Sequence, residues 1–422
     1  MQPTHTSLKA RHSTTSYPQQ PSSCLVHKPA PTLKTAPPLP NSYSTFKPHT
    51  LRLMTNYVLG SSSTDFSSTG DKAAPSPGTR TTTTAADDYK NRWGIALTQG
   101  PRDTMEDVAQ VKPSAPCSFL FASVFDGHGG DAAAQYLEKN FFNVVSEALK
   151  RQAGQFSVEC SISQAEEGLC CPIELHSAVA ESFREADDNL LKWLSTSVKG
   201  DNARSGCTAT TLLVRPDVAL VANVGDSRAV LSRRGKAMDL TTEHRVWGKG
   251  NTVTSETERI ESAGGWVEDG RVCGVLAVSR AFGDPDFKGV GLKALLQRGV
   301  EDEFWTQEFA DSQIFTEDPV TVVPDVFELT LQSGKDEVLI VATDGLWDVV
   351  SSQDAVSLAR AELRRGGNAE GAAEKLIDAA VKRRTQDNVA VIVVDLLGPE
   401  GWKKISENNN GGGKGLFGLF GR

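Results

Sequence analysis

Apolar residues recur along this chain in two rhythms. Over residues 131–150, Ala134, Leu137, Phe141, Val144, Val145 and Leu149 return every three or four positions, one face of an amphipathic helix, and residues 174–194 repeat the pattern. Elsewhere the apolar residues gather in short β-rich runs, at 107–111 and 118–125, then at 208–214, 218–224 and 227–232. The last three follow one another with too few residues between them for a crossover helix, so they predict antiparallel hairpins. Further on, 337–343 reads as a strand, 353–364 and 369–382 as helices, and 389–396 as a closing strand. Helices kept apart from clustered strands predict an α+β fold in which helices cover packed antiparallel sheets. No run approaches the roughly 18 apolar residues that span a bilayer.

Both ends lack these rhythms. The first 84 residues are rich in Ser, Thr and Pro, with runs such as PAPTLKTAPPLP and RTTTT, and cannot bury enough surface to offset their conformational entropy. Residues 1–86 are therefore read as disordered. Charge sharpens this reading. The chain carries 44 Lys+Arg against 53 Asp+Glu, yet the first 64 residues hold six cations and no acid, which leaves −15 on the remainder. A hydroxylated, basic, acid-free start without an apolar core beside a cleavage site reads as an organelle transit peptide rather than a secretory signal, with a plain disordered tail on a cytosolic protein as the alternative. Its few arginines favour the chloroplast over the mitochondrion. The acidic body argues against a nucleic-acid surface. At the other end, residues 398–422 finish in NNNGGGKGLFGLFGR and read as a flexible Gly-rich tail, whose LFGLF tip could touch a membrane peripherally but is too short to anchor there. Seven cysteines form no CxxC pair, which fits a reducing compartment, with a redox role left open only for the adjacent Cys170 and Cys171. Nothing in the sequence calls for an obligate dimer, so a monomer is expected.

The candidate chemistry lies where acidic residues meet glycine beside the apolar runs. FDGHGG (125–130) follows SFLFASVF, NVGDSR (223–228) follows VALVA, ATDGLWD (342–348) follows EVLIV, and QDN (386–388) precedes VAVIVVDL. Any one of these could be an ordinary turn opened by Asp. Together they place carboxylates at four strand ends, where a fold can aim several side chains at one point. Converging carboxylates repel one another unless a cation sits among them, and Mg2+ or Mn2+ takes such all-oxygen donor sets.

The ordered series RDTMED (102–107), FDGHGG (125–130), SGCTA (205–209), NVGDSRAVL (223–231), LTTEH (240–244), ERIESAGGWV (258–267), GVLAVSRAFGD (274–284), ATDGLWDVVS (342–351) and QDNVAVIVV (386–394) resembles the metal-dependent serine/threonine phosphatases of type 2C. The likeness runs in the family's order over residues 93–397, inside a catalytic domain set at 87–397. It implies a four-layer αββα sandwich with two Mg2+ or Mn2+ ions at one edge of its sheets. By the same resemblance Asp126 bridges both ions, the Gly127 carbonyl joins one, and Glu106, Asp107, Asp344 and Asp387 supply the rest. A hydroxide between the ions attacks phosphorus, Arg102 holds the phosphoryl group, and His128 protonates the departing seryl or threonyl oxygen. Asp226 and Asp348 correspond to holders of a weaker third metal. Arg280 and Asp284 are expected to support the site from below, and no covalent intermediate through Ser205 or Thr208 is expected.

Two departures colour the resemblance. Glu243-His244-Arg245-Val246 stands where the family usually has Asp-His-x-Pro, a change expected to lie away from the metals. The interval 284–324 is longer than usual and carries Leu295, Leu296, Phe304, Trp305 and Phe309, so it is expected to be ordered and near the substrate entrance. That interval, with DNLLKWL (188–194) and GWKK (401–404), is similar to thylakoid-associated relatives that act on phosphothreonine in light-harvesting antenna proteins during state transitions. A soluble stress-signalling phosphatase acting on kinases, and a catalytically silent binding module on the same fold, remain alternative readings.

Overall fold

A strand that is apolar at nearly every position must be covered on both faces, and LFASVF is such a run. The computed structural model describes residues 89, 91–113, 119–159 and 172–411. The N-terminal segment read above as a transit peptide, Cys170, Cys171 and the LFGLF tip lie outside them. The chain forms β1 (Trp93–Thr98), β2 (Val108–Lys112), β3 (Leu120–His128), α1 (Ala132–Glu159), α2 (Pro172–Ser197), β4 (Gly206–Val214), β5 (Val218–Val224), β6 (Arg228–Arg233), β7 (Lys236–Asp239) and α3 (Asn251–Ser262). There follow β8 (Val267–Glu268), β9 (Arg271–Val272), β10 (Phe282–Gly283), α4 (Gly291–Glu301), α5 (Gln307–Ser312), β11 (Asp325–Thr330), β12 (Asp336–Ala342), α6 (Asp344–Trp347), α7 (Ser352–Arg364), α8 (Ala369–Lys382), β13 (Val389–Asp395) and α9 (Gly398–Gly411).

One antiparallel sheet runs β1-β13-β12-β6-β7, and a second runs β11-β5-β4-β3-β2 with β10 added along β4. Side-chain alternation then builds four layers. Leu120, Ala122 and Val124 of β3 meet Leu339, Val341 and Ile392 between the sheets. Phe121 and Phe125 point the other way, into a cluster with Phe141, Phe183 and Phe282 under α1 and α2. On the far side Val338, Ile340 and Val391 pack against Ala359 and Leu363 of α7 and Leu376 of α8. Ser351 and Asn368 cap these two helices, their side chains accepting from Asp354 N and Gly371 N. The αββα sandwich expected from the sequence is the fold observed.

The tail is where expectation and structure part. Residues 398–411 are not a flexible linker but helix α9. The Asp395 carboxylate takes the Leu397 and Gly398 amides and the Trp402 indole, the last at 2.8 Å, and Trp402 is buried against the α7–α8 core. Tertiary anchoring overrides a composition that would leave the isolated segment unfolded. The long interval after residue 284 is ordered as expected, with Trp305 and Phe309 edge-on to Trp266. Among the described residues no helix is long and apolar enough to cross a membrane.

Candidate metal centre and active site

The sandwich brings distant strand ends to one edge. β3 ends on Asp126, Gly127 and His128, and its antiparallel partner β2 begins just after Glu106 and Asp107. β5 runs out towards Asp226 before β6, β12 leads into Asp344, and β13 starts just after Asp387. Close approach of the connecting loops demands glycine at two of these places. A Cβ on Gly127 would stand 2.6 Å from the Glu106 carbonyl oxygen, and one on Gly345 would stand 1.9 Å from that of Asn388.

Asp126, Asp226 and Asp344 each place a carboxylate oxygen within 4.8 Å of the others. Asp107 and Asp387 belong to the same electrostatic group. Burial, then the charges of Asp107, Asp344, Asp226 and Asp387, push the Asp126 carboxyl well above its usual range. Burial and the neighbouring Asp226, Asp348 and Asp387 raise Asp344 to about 8. Asp107 is raised to about 7, chiefly by burial, although Thr343 Oγ1 donates to its Oδ2 at 2.7 Å. Carboxylates that resist ionising together and offer only oxygen donors fit a hard divalent cation, whose charge would restore the ionised form. Glu106 stands beside them, its Oε2 accepting from Gly130 N at 3.4 Å.

Asn388, which the sequence reading passed over, pins this arrangement. Its Oδ1 accepts from Glu106 N at 2.8 Å while its Nδ2 donates to Gln99 O and Thr104 O, so the loop carrying Arg102 and Glu106 is fastened to the start of β13. Arg102 lies half-exposed beside the cluster, with Nη2 2.5 Å from Asp387 Oδ2. His128 has Nε2 2.9 Å from both carboxylate oxygens of Asp284. Burial pulls the imidazolium pKa down, but the Asp284 charge and hydrogen bond outweigh it and leave it above the ordinary value. Asp284 itself adopts the left-handed region, φ 49°, directly after Gly283, and its amide donates to Ser205 O at 3.2 Å. There the Gly283 amide donates to buried Asp187, which also pairs with Lys288. Asp284 thus reaches the site through the His128 ring, which its carboxylate orients. Arg280 supports it from further away, paired with Glu256 and Asp325. Ser205 Oγ is spent on the Ala133 amide and the Asn202 carbonyl, consistent with no nucleophilic role.

One expectation is overturned here. The 243–246 run does not lie away from the cluster: Arg245 Nε is 3.0 Å from Asp226 Oδ2, and its Nη2 is 3.3 Å from Asp344 Oδ2 and 3.4 Å from Asp348 Oδ1. The cause is the pair of buried hydrogen bonds between His244 and Gly225, which fix this loop against the β5–β6 turn.

Carboxylates gathered at the edge of an αββα sandwich, with an arginine and an aspartate-held histidine beside them, describe a metal-dependent phosphoester hydrolase. Residues 93–389 match the protein phosphatase 2C family, and the chain belongs to it: it is a metal-dependent protein serine/threonine phosphatase. It is 40% identical over 315 residues to protein phosphatase 2C 57 of Arabidopsis thaliana, covering 74% of this chain and 77% of that one. With protein phosphatase 2C homolog 2 of Saccharomyces cerevisiae the identity is 32% over 323 residues, or 74% and 59% of the two chains. The crystal structure of serine-threonine phosphatase 2C from Toxoplasma gondii shares the fold, with a TM-score of 0.55 at 23% identity over 72% of this chain and 94% of that one.

Proposed function

We propose that the centre works with two Mg2+ or Mn2+ ions and that its substrates are phosphothreonine sites of light-harvesting antenna proteins, met at the stromal face of the thylakoid in the chloroplast. The observation that carries the metal reading is the Asp126, Asp226, Asp344 trio, with buried Asp107 and with Asp387 beside it. Asp126, Asp344, Asp107, Asp387, Glu106 and the Gly127 carbonyl would hold the two ions. Bound divalent ions supply acidity to water and charge neutralisation to the phosphoryl oxygens. The chain's own residues do the rest. Arg102 offers its guanidinium fork to the phosphoryl oxygens at the mouth of the site. His128, with Nε2 tied to Asp284, has Nδ1 left to hold the proton for the departing seryl or threonyl oxygen.

The substrate and compartment rest on other features. The acid-free, hydroxylated N-terminus supports chloroplast import. The long interval supports a dedicated substrate surface, because α4 begins seven residues after Asp284 and is tied by the Arg298–Asp286 ion pair to the turn that follows Asp284. Phosphoproteomics after loss of the protein tests this. Antenna phosphothreonine sites are expected to stay phosphorylated; unchanged antenna sites with accumulated kinase activation-loop phosphosites would reject the assignment in favour of stress signalling.

A further inference from the structure

Arg245 is the residue of the centre that the hydrolysis described above does not use. It is buried, 7% exposed, and spreads one guanidinium over three carboxylates: Nε to Asp226 at 3.0 Å, and Nη2 to Asp344 at 3.3 Å and Asp348 at 3.4 Å. Its Nη1 is 3.8 Å from Glu243, and its guanidinium carbon lies 4.5 Å from the centroid of the Trp247 ring. Such a planar fork, stacked on an indole and ringed by acids, is a cation site already filled by the protein.

The backbone beneath Arg245 is fixed on both sides. His244 N donates to Gly225 O at 2.9 Å, Gly225 N donates to His244 Nδ1 at 3.1 Å, and the buried ring reaches Asp325 through Nε2. On its other side Ser279 N donates to His244 O, and Arg245 itself bridges Val278. The side chain is therefore delivered to the acids by a clamped segment. Asp226 and Asp348 are also the residues that resemblance assigns to a weaker third metal. A divalent ion placed among Asp226 Oδ2, Asp344 Oδ2 and Asp348 Oδ1 would meet the guanidinium there, whose positive charge repels it and whose N–H groups already occupy lone pairs of those oxygens.

From this we infer that Arg245 is a resident cation in place of a third metal ion, so that a divalent ion gains that position only by displacing the guanidinium. The inference rests on the two-ion reading above. Displacement has a route, because Arg245 and Trp247 line an open cleft of about 360 Å³ that also takes in Arg228, Thr242 and Lys249. The consequence is a phosphatase whose Asp226 and Asp344 are oriented without the third ion, each keeping one carboxylate oxygen clear of the guanidinium.

The test counts metal directly. The full chain is dialysed to equilibrium against graded Mn2+ and bound metal is measured by atomic emission, for the wild type, Arg245→Ala and Arg245→Gln, the last retaining a donor for Asp226 should the first fail to fold. Tryptophan emission is followed in parallel, with Trp247→Phe as the control that isolates the ring beneath the guanidinium from the other six tryptophans. The inference predicts two ions on the wild type over the range in which either variant takes up a third. That third ion should bind the variants at least about tenfold more tightly than the wild type, as expected from removing charge-assisted hydrogen bonds that compete for its ligands. In the wild type a third ion should appear only at high Mn2+ and together with a change in tryptophan emission that Trp247→Phe abolishes. Equal uptake of three ions by wild type and variants, or of two by all, overturns the role of Arg245 and leaves the two-ion hydrolase standing. Fewer than two ions on every chain overturns the reading on which it rests.

Discussion

Glu256 on α3 gives the sharpest prediction about how the centre is supported. The side chain is 2% exposed and bonded to Arg280 at 2.6 Å, Ser279 at 2.6 Å and Arg259 at 3.1 Å. Arg280 in turn pairs with Asp325, which reaches His244 and so the clamp beside Asp226. Burial pushes the Glu256 carboxyl up, yet its hydrogen bonds with Arg280 and Ser279 and the two guanidinium charges pull it down from 4.5 to about 2. A drop of that size corresponds to about 3 kcal/mol of folding free energy. Because the folded value is depressed, this stability is complete above about pH 5 and disappears as pH falls through about 2. Glu256→Gln removes the charge at every pH and strands two partly buried arginines, a change that costs about 3–5 kcal/mol in comparable pairs. With about 2.1 cal/mol/K of unfolding entropy per residue over roughly 300 folded residues, 3 kcal/mol lowers Tm by about 5 °C. Urea melts of both proteins at pH 7, 5, 4 and 3 measure the difference. The gap should be about 3 kcal/mol at pH 7 and narrow steadily below about pH 4.5. A gap below about 1 kcal/mol at neutral pH, or one that stays constant down to pH 3, would refute the reasoning.

Two further substitutions probe the proposed acid His128 and the C-terminal helix. Since Asp284 holds the His128 pKa above its ordinary value, the imidazolium keeps its proton to higher pH; Asp284→Asn should move the alkaline fall of kcat to lower pH, and an unmoved limb in the pH–rate profile would separate Asp284 from His128. Trp402→Ala should lower Tm by about 5 °C, the effect of losing roughly 3 kcal/mol of buried indole, whereas a flexible tail would give no change in a thermal melt.

How much of this was legible in the sequence depended on the range of the interactions. The strands at 218–224 and 389–395 and the helix at 369–382 could be read because their apolar periods are local, and β3 could be assigned two buried faces because its run is apolar at both parities. β1 and β11 went unnamed because their residues are largely half-buried or exposed and owe their conformation to pairing with β13 and β5. Helix α9 was hidden because its stability comes from the Asp395 carboxylate and the Trp402 pocket rather than from helix-forming residues. At the centre, glycine beside Asp at strand ends marked Asp126, Asp226 and Asp344. Arg245 left no such mark: its role depends on carboxylates 19, 99 and 103 residues away that only the packed sheets bring together. The Asn388 and Asp284 contacts were invisible for the same reason, each spanning more than 150 residues.

The central claim is that buried carboxylates make this chain a hydrolase only with divalent metal. Initial rates on a phosphothreonine peptide, measured for wild type and Asp344→Asn while chelator is titrated out by Mn2+ or Mg2+, test it most directly. The account predicts no turnover in excess chelator, recovery on adding metal, and a loss of at least about 100-fold in Asp344→Asn at saturating metal. Turnover that persists in excess chelator, or an Asp344→Asn enzyme as fast as the wild type, would contradict it.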